Sequence, residues 1–191
     1  MPGRVYTELL DLAHDQHGYL RAENVREAGF DPKRLVDYER RGVAERVAYG
    51  VYRMKAIPPD ELEQYMRAAL WPMGAGVLSH ETALDLYELC DVNPAGIDVT
   101  VPRRYRTHRL VPGLYRLHPR DLADEQTGRL RGLPIVTPLR AILDGIETHV
   151  RGELIEQAIQ TAEQQSLVTP AGVARARDAL AARQPGVGGE R

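Results

Sequence analysis

The stretch DPKRLVDYERRGVAERVAYGVYRM, residues 31–54, decides how the rest of the chain is read. Asp31 can accept a hydrogen bond from the free amides of a first helical turn, and Pro32 suits the first helical position, where no amide partner is needed. Stepping about 100° per residue from Lys33 puts Lys33, Arg34, Asp37, Arg40 and Arg41 within an arc of roughly 120°. Leu35 and Tyr38 point the other way. Gly42 is placed to take the left-handed conformation that ends a helix, and the side chains then switch to a period of two, with Val43, Glu45 and Val47 on one face of a strand. Ala48-Tyr49-Gly50 fits a three-residue hairpin loop, and Val51, Tyr52 and Arg53 return as a second strand. A short basic helix followed directly by a hairpin is the second half of a winged helix-turn-helix. On an isolated helix, five charges are as well explained by solvation as by a ligand. The residues upstream decide between the two.

Those residues supply the first half. Tyr6 to His14 carries Leu9, Leu10, Leu12 and Ala13 at helical spacing, ending near Gly18. Tyr19-Leu20 can form a short strand against the hairpin, and Ala22 to Ala28 makes a second helix closed by Gly29. Helix, short strand, helix, glycine turn, basic helix and hairpin follow one another within 55 residues, an order that few folds share and that points to DNA.

Downstream, the paired prolines of Ala56-Ile57-Pro58-Pro59 can continue neither helix nor strand, and they mark a boundary. A winged helix-turn-helix is therefore expected over 1–56 and a second domain over 60–185. Leu62, Tyr65, Met66, Ala69, Leu70 and Met73 form a helical stripe that ends at Gly74. Ser79 is expected to cap a helix through Leu89 that carries Ala83, Leu84, Tyr87 and Cys90 on one side. Ile97, Val99 and Val101 alternate with Asp98 and Thr100, and residues 110–117 and 130–136 give further strands. Thr137-Pro138 and Thr169-Pro170 open helices over 139–147 and 171–182, with another over 154–162 between them. The predicted class is α+β, an N-terminal winged helix-turn-helix followed by a mixed domain of helices and a small sheet. The polar, glycine-rich residues 186–191 are expected to be disordered.

Charge is unevenly spread. The net is only −2 over 191 residues, yet 1–55 carry +1, 56–102 carry −7, 103–140 carry +6 and 141–191 carry −2. Such segregation suggests separate surfaces with separate partners. Its densest point is Arg103-Arg104-Tyr105-Arg106-Thr107-His108-Arg109, four arginines with no acid among them. Hydrophobic residues make up 43% of the chain, enough for ordinary cores. A single cysteine excludes an internal disulfide and a multi-cysteine zinc site. With no signal-like segment and no uncharged run of membrane-spanning length, a cytoplasmic location without membrane contact is expected.

No catalytic constellation emerges. Ser79 lacks the flanking glycines of a nucleophile elbow and reads as a cap. No phosphate-binding loop ends in Lys-Ser/Thr. The six histidines, at 14, 17, 80, 108, 118 and 149, are scattered, and His14 and His17 alone are a weak metal signal. Asp98 lacks the Glu-x-Lys that would complete a nuclease site and is expected to face solvent. Cys90, on an apolar stripe, reads as a small core residue. Neither enzyme activity nor a metal or cofactor is expected.

Three segments, VLSHETALDLYEL (77–89), IDVTVPRRYR (97–106) and GLPIVTPLRAILDGI (132–146), together with the Gly50–Arg53 hairpin return, resemble the AbiEi family of antitoxins over about residues 5–182. The specificity lies in their order. The resemblance implies a transcriptional regulator that represses its own toxin–antitoxin operon and counteracts a nucleotidyltransferase-like toxin. The wing tip departs from the family's basic pattern with Ala48-Tyr49, leaving Arg46 as the wing contact. The candidate DNA-binding residues are thus Lys33, Arg34, Asp37, Arg40, Arg41, Arg46, Arg103, Arg104, Arg106 and Arg109, and the partners are operator DNA and the toxin. The competing readings are a winged-helix regulator with no toxin and a nucleic-acid-processing enzyme that docks through its winged helix.

Overall fold

The computed structural model describes residues 3–183, so the tail expected at 186–191 lies outside the described residues. The fold is α+β and separates into two compact units. The first holds the described residues up to Gly76 with Arg104–Thr107 and Arg129–Pro134; the second holds Val77–Arg103, His108–Gly128 and the described residues from Ile135 onward.

The first unit runs α1 (Arg4–His14), β1 (Tyr19–Arg21), α2 (Ala22–Glu27), α3 (Lys33–Arg40), β2 (Ala44–Ala48), β3 (Val51–Met54) and α4 (Glu63–Leu70). Its sheet has the order β1-β3-β2. β3 lies antiparallel to both neighbours, with Arg53 opposite Tyr19 on one side and Glu45 on the other. This is the helix, strand, helix, helix, hairpin order expected of a winged helix-turn-helix. Leu9, Leu20, Val25, Leu35 and Met54, all fully buried, form its core. α3 ends because Gly42 takes φ +71°, which lets the Gly42 amide donate to the Glu39 carbonyl and the Val43 amide to the Tyr38 carbonyl, the paired bonds of a Schellman stop.

The hairpin is tighter than its sequence suggests. Ala48 pairs with Val51, leaving only Tyr49-Gly50 as the turn, and the register slips between Arg46 and Ala48, so that Val47 is an extra residue bulged out of the ladder. Glu45 and Val47 turn outward, Val47 being 41% exposed, while Ala44 points inward and Val43 packs against the core.

α4 belongs to this same unit, so the Pro58-Pro59 step lies within it. A buried carboxylate ties it in. Glu63 accepts hydrogen bonds from Tyr19 Oη at 2.9 Å, Arg53 Nε at 3.0 Å and Arg67 at 3.2 Å. Burial alone would raise the Glu63 pKa, but the bonds from Tyr19 and Arg53 hold it below the usual carboxylate range. His17 adds a second tie through Asp60 Oδ2 at 2.7 Å and the Arg131 carbonyl at 2.8 Å. The expected stripe holds for Met66, Ala69 and Leu70, but the helix stops short of Met73, which has φ +56° and is 61% exposed.

Beyond Gly76 the order is β4 (Val77–Leu78), α5 (His80–Leu86), β5 (Ile97–Val101), β6 (Tyr115–Pro119), a 3₁₀ turn (Asp124–Gln126), β7 (Thr127–Leu130), β8 (Leu133–Val136), α6 (Pro138–Glu147), α7 (Gly152–Gln164) and α8 (Pro170–Ala182). The sheet order is β6-β5-β4-β8-β7. Three expectations need correction. The strand placed at 110–117 begins only at Tyr115. The strand placed at 130–136 is broken by Arg131-Gly132, both at positive φ, as a two-residue type I′ hairpin turn demands. Ser79 stands where a cap residue would, but its hydroxyl makes no capping bond; it is spent inside the second unit, as described below. The matching Thr169 does cap, accepting from the Gly172 amide at 3.2 Å.

Candidate nucleic-acid interface

α3 is fixed at its start by Asp31, whose carboxylate accepts from the Lys33 amide at 2.9 Å. It is anchored beneath by Leu35, fully buried, and by Tyr38, whose ring meets Tyr6 edge-on with centroids 5.6 Å apart. With that face pinned, the other must point outward. Lys33, Arg34, Asp37, Arg40 and Arg41 are all exposed. Asp37 and Arg40 approach to 3.8 Å, a loose surface pair that leaves the Arg40 guanidinium accessible.

The wing carries Arg46, also exposed, with its guanidinium 5.6 Å from the centroid of the Tyr49 ring. That ring, 78% exposed at the turn, gives the cation a face to rest on without burying it.

The basic face of α3 divides between two clefts. One, of about 530 Å³, has Lys33 and Arg46 among its walls; the other, of about 390 Å³, has Arg34 and Arg41 together with Arg4. Arg4 and Arg26, on helices that read as scaffold, and Arg21, at the end of β1, do not stand out in the sequence, because each sits among acids and neutral residues. Their only signal is tertiary. Arg103, Arg104, Arg106 and Arg109 are all exposed. The Arg103 amide donates to Asp121 at 3.1 Å and Arg106 donates to the Tyr105 carbonyl at 2.8 Å.

A family model described as "Transcriptional regulator, AbiEi antitoxin" matches residues 8–55. That span runs from within α1 to just past β3. Over residues 8–55 the chain is therefore similar to AbiEi-type regulators. No curated protein matches the chain. Among solved structures, the crystal structure of the RV2827C protein from Mycobacterium tuberculosis is similar over 97% of this chain and 83% of its own, at 19% identity and a TM-score of 0.38.

Outside the matched segment, the second unit buries polar groups that the sequence left scattered. Asp98, expected to face solvent, is only 3% exposed. It accepts from His118 Nε2 at 2.8 Å, and its own amide donates to Thr82 Oγ1 at 2.8 Å. The correction has a simple cause. β5 is an interior strand flanked by β4 and β6 and packed against α5, and residues on both of its faces are buried. Thr100 donates to Ser79 Oγ at 2.8 Å, and Ser79 Oγ lies 2.8 Å from His80 Nδ1. Burial, then the neighbouring His118 on which it stacks at 3.6 Å, pushes the His80 pKa down to about 4. Arg140, 6% exposed, binds Asp144 at 2.9 Å and Glu147 at 2.6 Å. Burial outweighs that pairing and pushes Asp144 up, whereas Arg140 and Arg120 hold Glu147 down against its own partial burial.

Ser79, His80 and Asp144 do not compose a nucleophile relay. Asp144 Oδ2 and Ser79 Oγ approach the same ring nitrogen, at 3.9 and 2.8 Å, whereas a relay needs the nucleophile and the carboxylate on opposite nitrogens of the histidine. Ser79 is also fully buried. Cys90 is buried with its thiol pushed up to about 11 by that burial, an inert core group. Among the described residues no group of three or more His, Cys, Asp or Glu could hold a metal ion, and no helix is long and apolar enough to cross a membrane.

Proposed function

We infer that this protein is a DNA-binding antitoxin that represses its own toxin–antitoxin operon and counteracts a nucleotidyltransferase-like toxin. The carrying observation is the outward basic face of α3, set on a buried Leu35–Tyr38 base beside a wing, within a segment that matches AbiEi regulators. Arg34, Arg40 and Arg41 read base edges in the major groove, guanine being the natural target of a two-pronged guanidinium, while Lys33 and Arg46 hold phosphate. Asp37 restrains Arg40. The exposed run of Arg103, Arg104, Arg106 and Arg109 adds salt-sensitive contact to a polyanion.

A gel shift against the DNA upstream of its own gene tests the first half of this reading, with a random duplex of equal length as control. Retarded operator at concentrations that leave the random duplex free supports it; equal or absent binding removes it. Co-expression with the product of the neighbouring gene tests the second half. Rescue of growth marks an antitoxin, and repression without rescue marks a free-standing regulator.

A further inference from the structure

The cleft of about 530 Å³ beside α3 joins the helix and the wing to the β1–α2 corner, which the DNA-binding reading does not otherwise use. One wall is the wing, with Arg46 and Tyr49. The second is the start of α3, with Lys33. The third is the β1–α2 corner, with Arg21, Glu23 and Arg26. Four cations therefore face one carboxylate. Arg21 is not loosely placed. Its guanidinium lies so close over the backbone of Gly74 that a Cβ there would come within 2.5 Å of Arg21 Nε, and it pairs with Glu23. Arg26 is exposed.

A helix seated in the major groove and a hairpin reaching the next minor groove have one sugar–phosphate strand between them. In this unit the space between helix and hairpin is the cationic cleft. We propose that the cleft is a phosphate clamp for the DNA strand separating the two grooves, with Arg21 and Arg26 as sequence-independent anchors and Glu23 as a built-in brake on its affinity. The proposal rests on the reading of this chain as a DNA-binding protein. Planar guanidinium groups suit phosphate oxygens through paired N–H bonds. The Glu23 carboxylate competes for the same guanidinium of Arg21, so bound phosphate must displace it or tolerate its charge. The clamp carries no sequence information; it sets how long the protein stays on any duplex while α3 chooses the site.

The test uses the full chain, an operator duplex and a random duplex, with affinity read by fluorescence anisotropy between about 50 and 200 mM salt. Arg26→Gln, at an exposed position that leaves the fold undisturbed, and Arg21→Gln should each weaken both duplexes by about five- to tenfold at the low-salt end and lower the slope of log affinity against log salt by about 0.9. Glu23→Gln should do the reverse, tightening both duplexes by about threefold, a gain that a damaged fold cannot produce. Wild-type affinity and slope in Arg21→Gln and Arg26→Gln, alongside lost operator binding in Arg40→Ala, would overturn the clamp and leave the DNA reading standing. A loss confined to the operator would also overturn it, since these arginines would then be reading bases. If the wild-type chain binds neither duplex, the clamp falls together with the reading beneath it.

Discussion

Two regions, α3 in the first unit and the polar interior around β5 and α6 in the second, handle charge in opposite ways. In the first, α3 sets five charged side chains in water above an apolar base of Leu35 and Tyr38, so they are free to meet a ligand and cost the fold little. In the second, Asp98, Arg140, Asp144 and His80 are each 6% exposed or less; Arg140 binds Asp144 and Glu147, His80 meets Ser79, and Asp98 meets Thr82 and His118, while Asp144 Oδ2 is left without a hydrogen bond. An exposed charge offers binding energy to a partner. A buried one is already committed to its neighbours, so its removal shows up in stability.

That contrast can be broken most forcefully at Arg140. Arg140→Met removes the partner of a fully buried carboxylate and should cost about 3–5 kcal/mol in denaturant unfolding. Arg40→Ala on the exposed face of α3 should stay within about 0.5 kcal/mol in the same assay. Comparable costs for the two would erase the distinction between the units.

Next in size is pH. The folded His80 pKa, near 4, lies below the roughly 6.5 of an unfolded histidine, so the unfolded chain takes the proton first. This contribution to stability is fully present above about pH 6.5 and drains away as pH falls from there toward 4, amounting to about 2–3 kcal/mol. Asp144, raised by burial, acts in the opposite sense: its contribution is present in acid and lost as pH rises through its folded pKa. Comparing thermal unfolding of the wild type with His80→Gln between about pH 7 and 4.5 isolates the histidine. If both lose stability equally on acidification, His80 is not its source.

On the DNA side, Arg40→Ala or Arg41→Ala should each cost about 1–3 kcal/mol of operator affinity and flatten preference at one base position. Wild-type affinity in both, and in Arg34→Ala, would take α3 out of the groove. Reversing Arg103, Arg104 and Arg106 to glutamate should weaken operator and random duplex alike and lower the salt slope by about one unit per lost phosphate. Unchanged DNA binding with lost protection against the toxin would assign that run to the partner protein instead.

The smallest effect concerns the boundary. We propose that residues 1–56 fold alone, but that fragment leaves Tyr19 and Arg53 without the Glu63 carboxylate they bind. A fragment ending at Gly76 should unfold at higher denaturant, by about 1–3 kcal/mol for the restored bonds. Equal midpoints would make α4 a passenger.

Local rules are enough to lay out the elements from α1 to β3 from the sequence. The Asp31-Pro32 start, the Gly42 stop and the outward arc of α3 each depend on residues within one or two turns, and the switch from helical to alternating period announces the hairpin. Two hairpin residues differ from the sequence reading, Ala48, which pairs where a loop residue is expected, and Val47, which bulges, because either arrangement fits the same pattern. What only the tertiary structure decided lies at long sequence separation. Glu63 reads as an ordinary surface acid until α4 folds back on Tyr19 and Arg53. Asp98 reads as the solvent side of an edge strand until β4, β6 and α5 enclose it. His80 and His118, 38 positions apart in the chain, become a stacked pair only when β6 is laid beside β5. The wing cleft is of the same kind, since Arg21, Arg26, Lys33 and Arg46 come from four elements with no shared spacing. Sequence periodicity reports which side of an element is apolar, whereas the partner of a buried or clustered charge is fixed by which elements pack together.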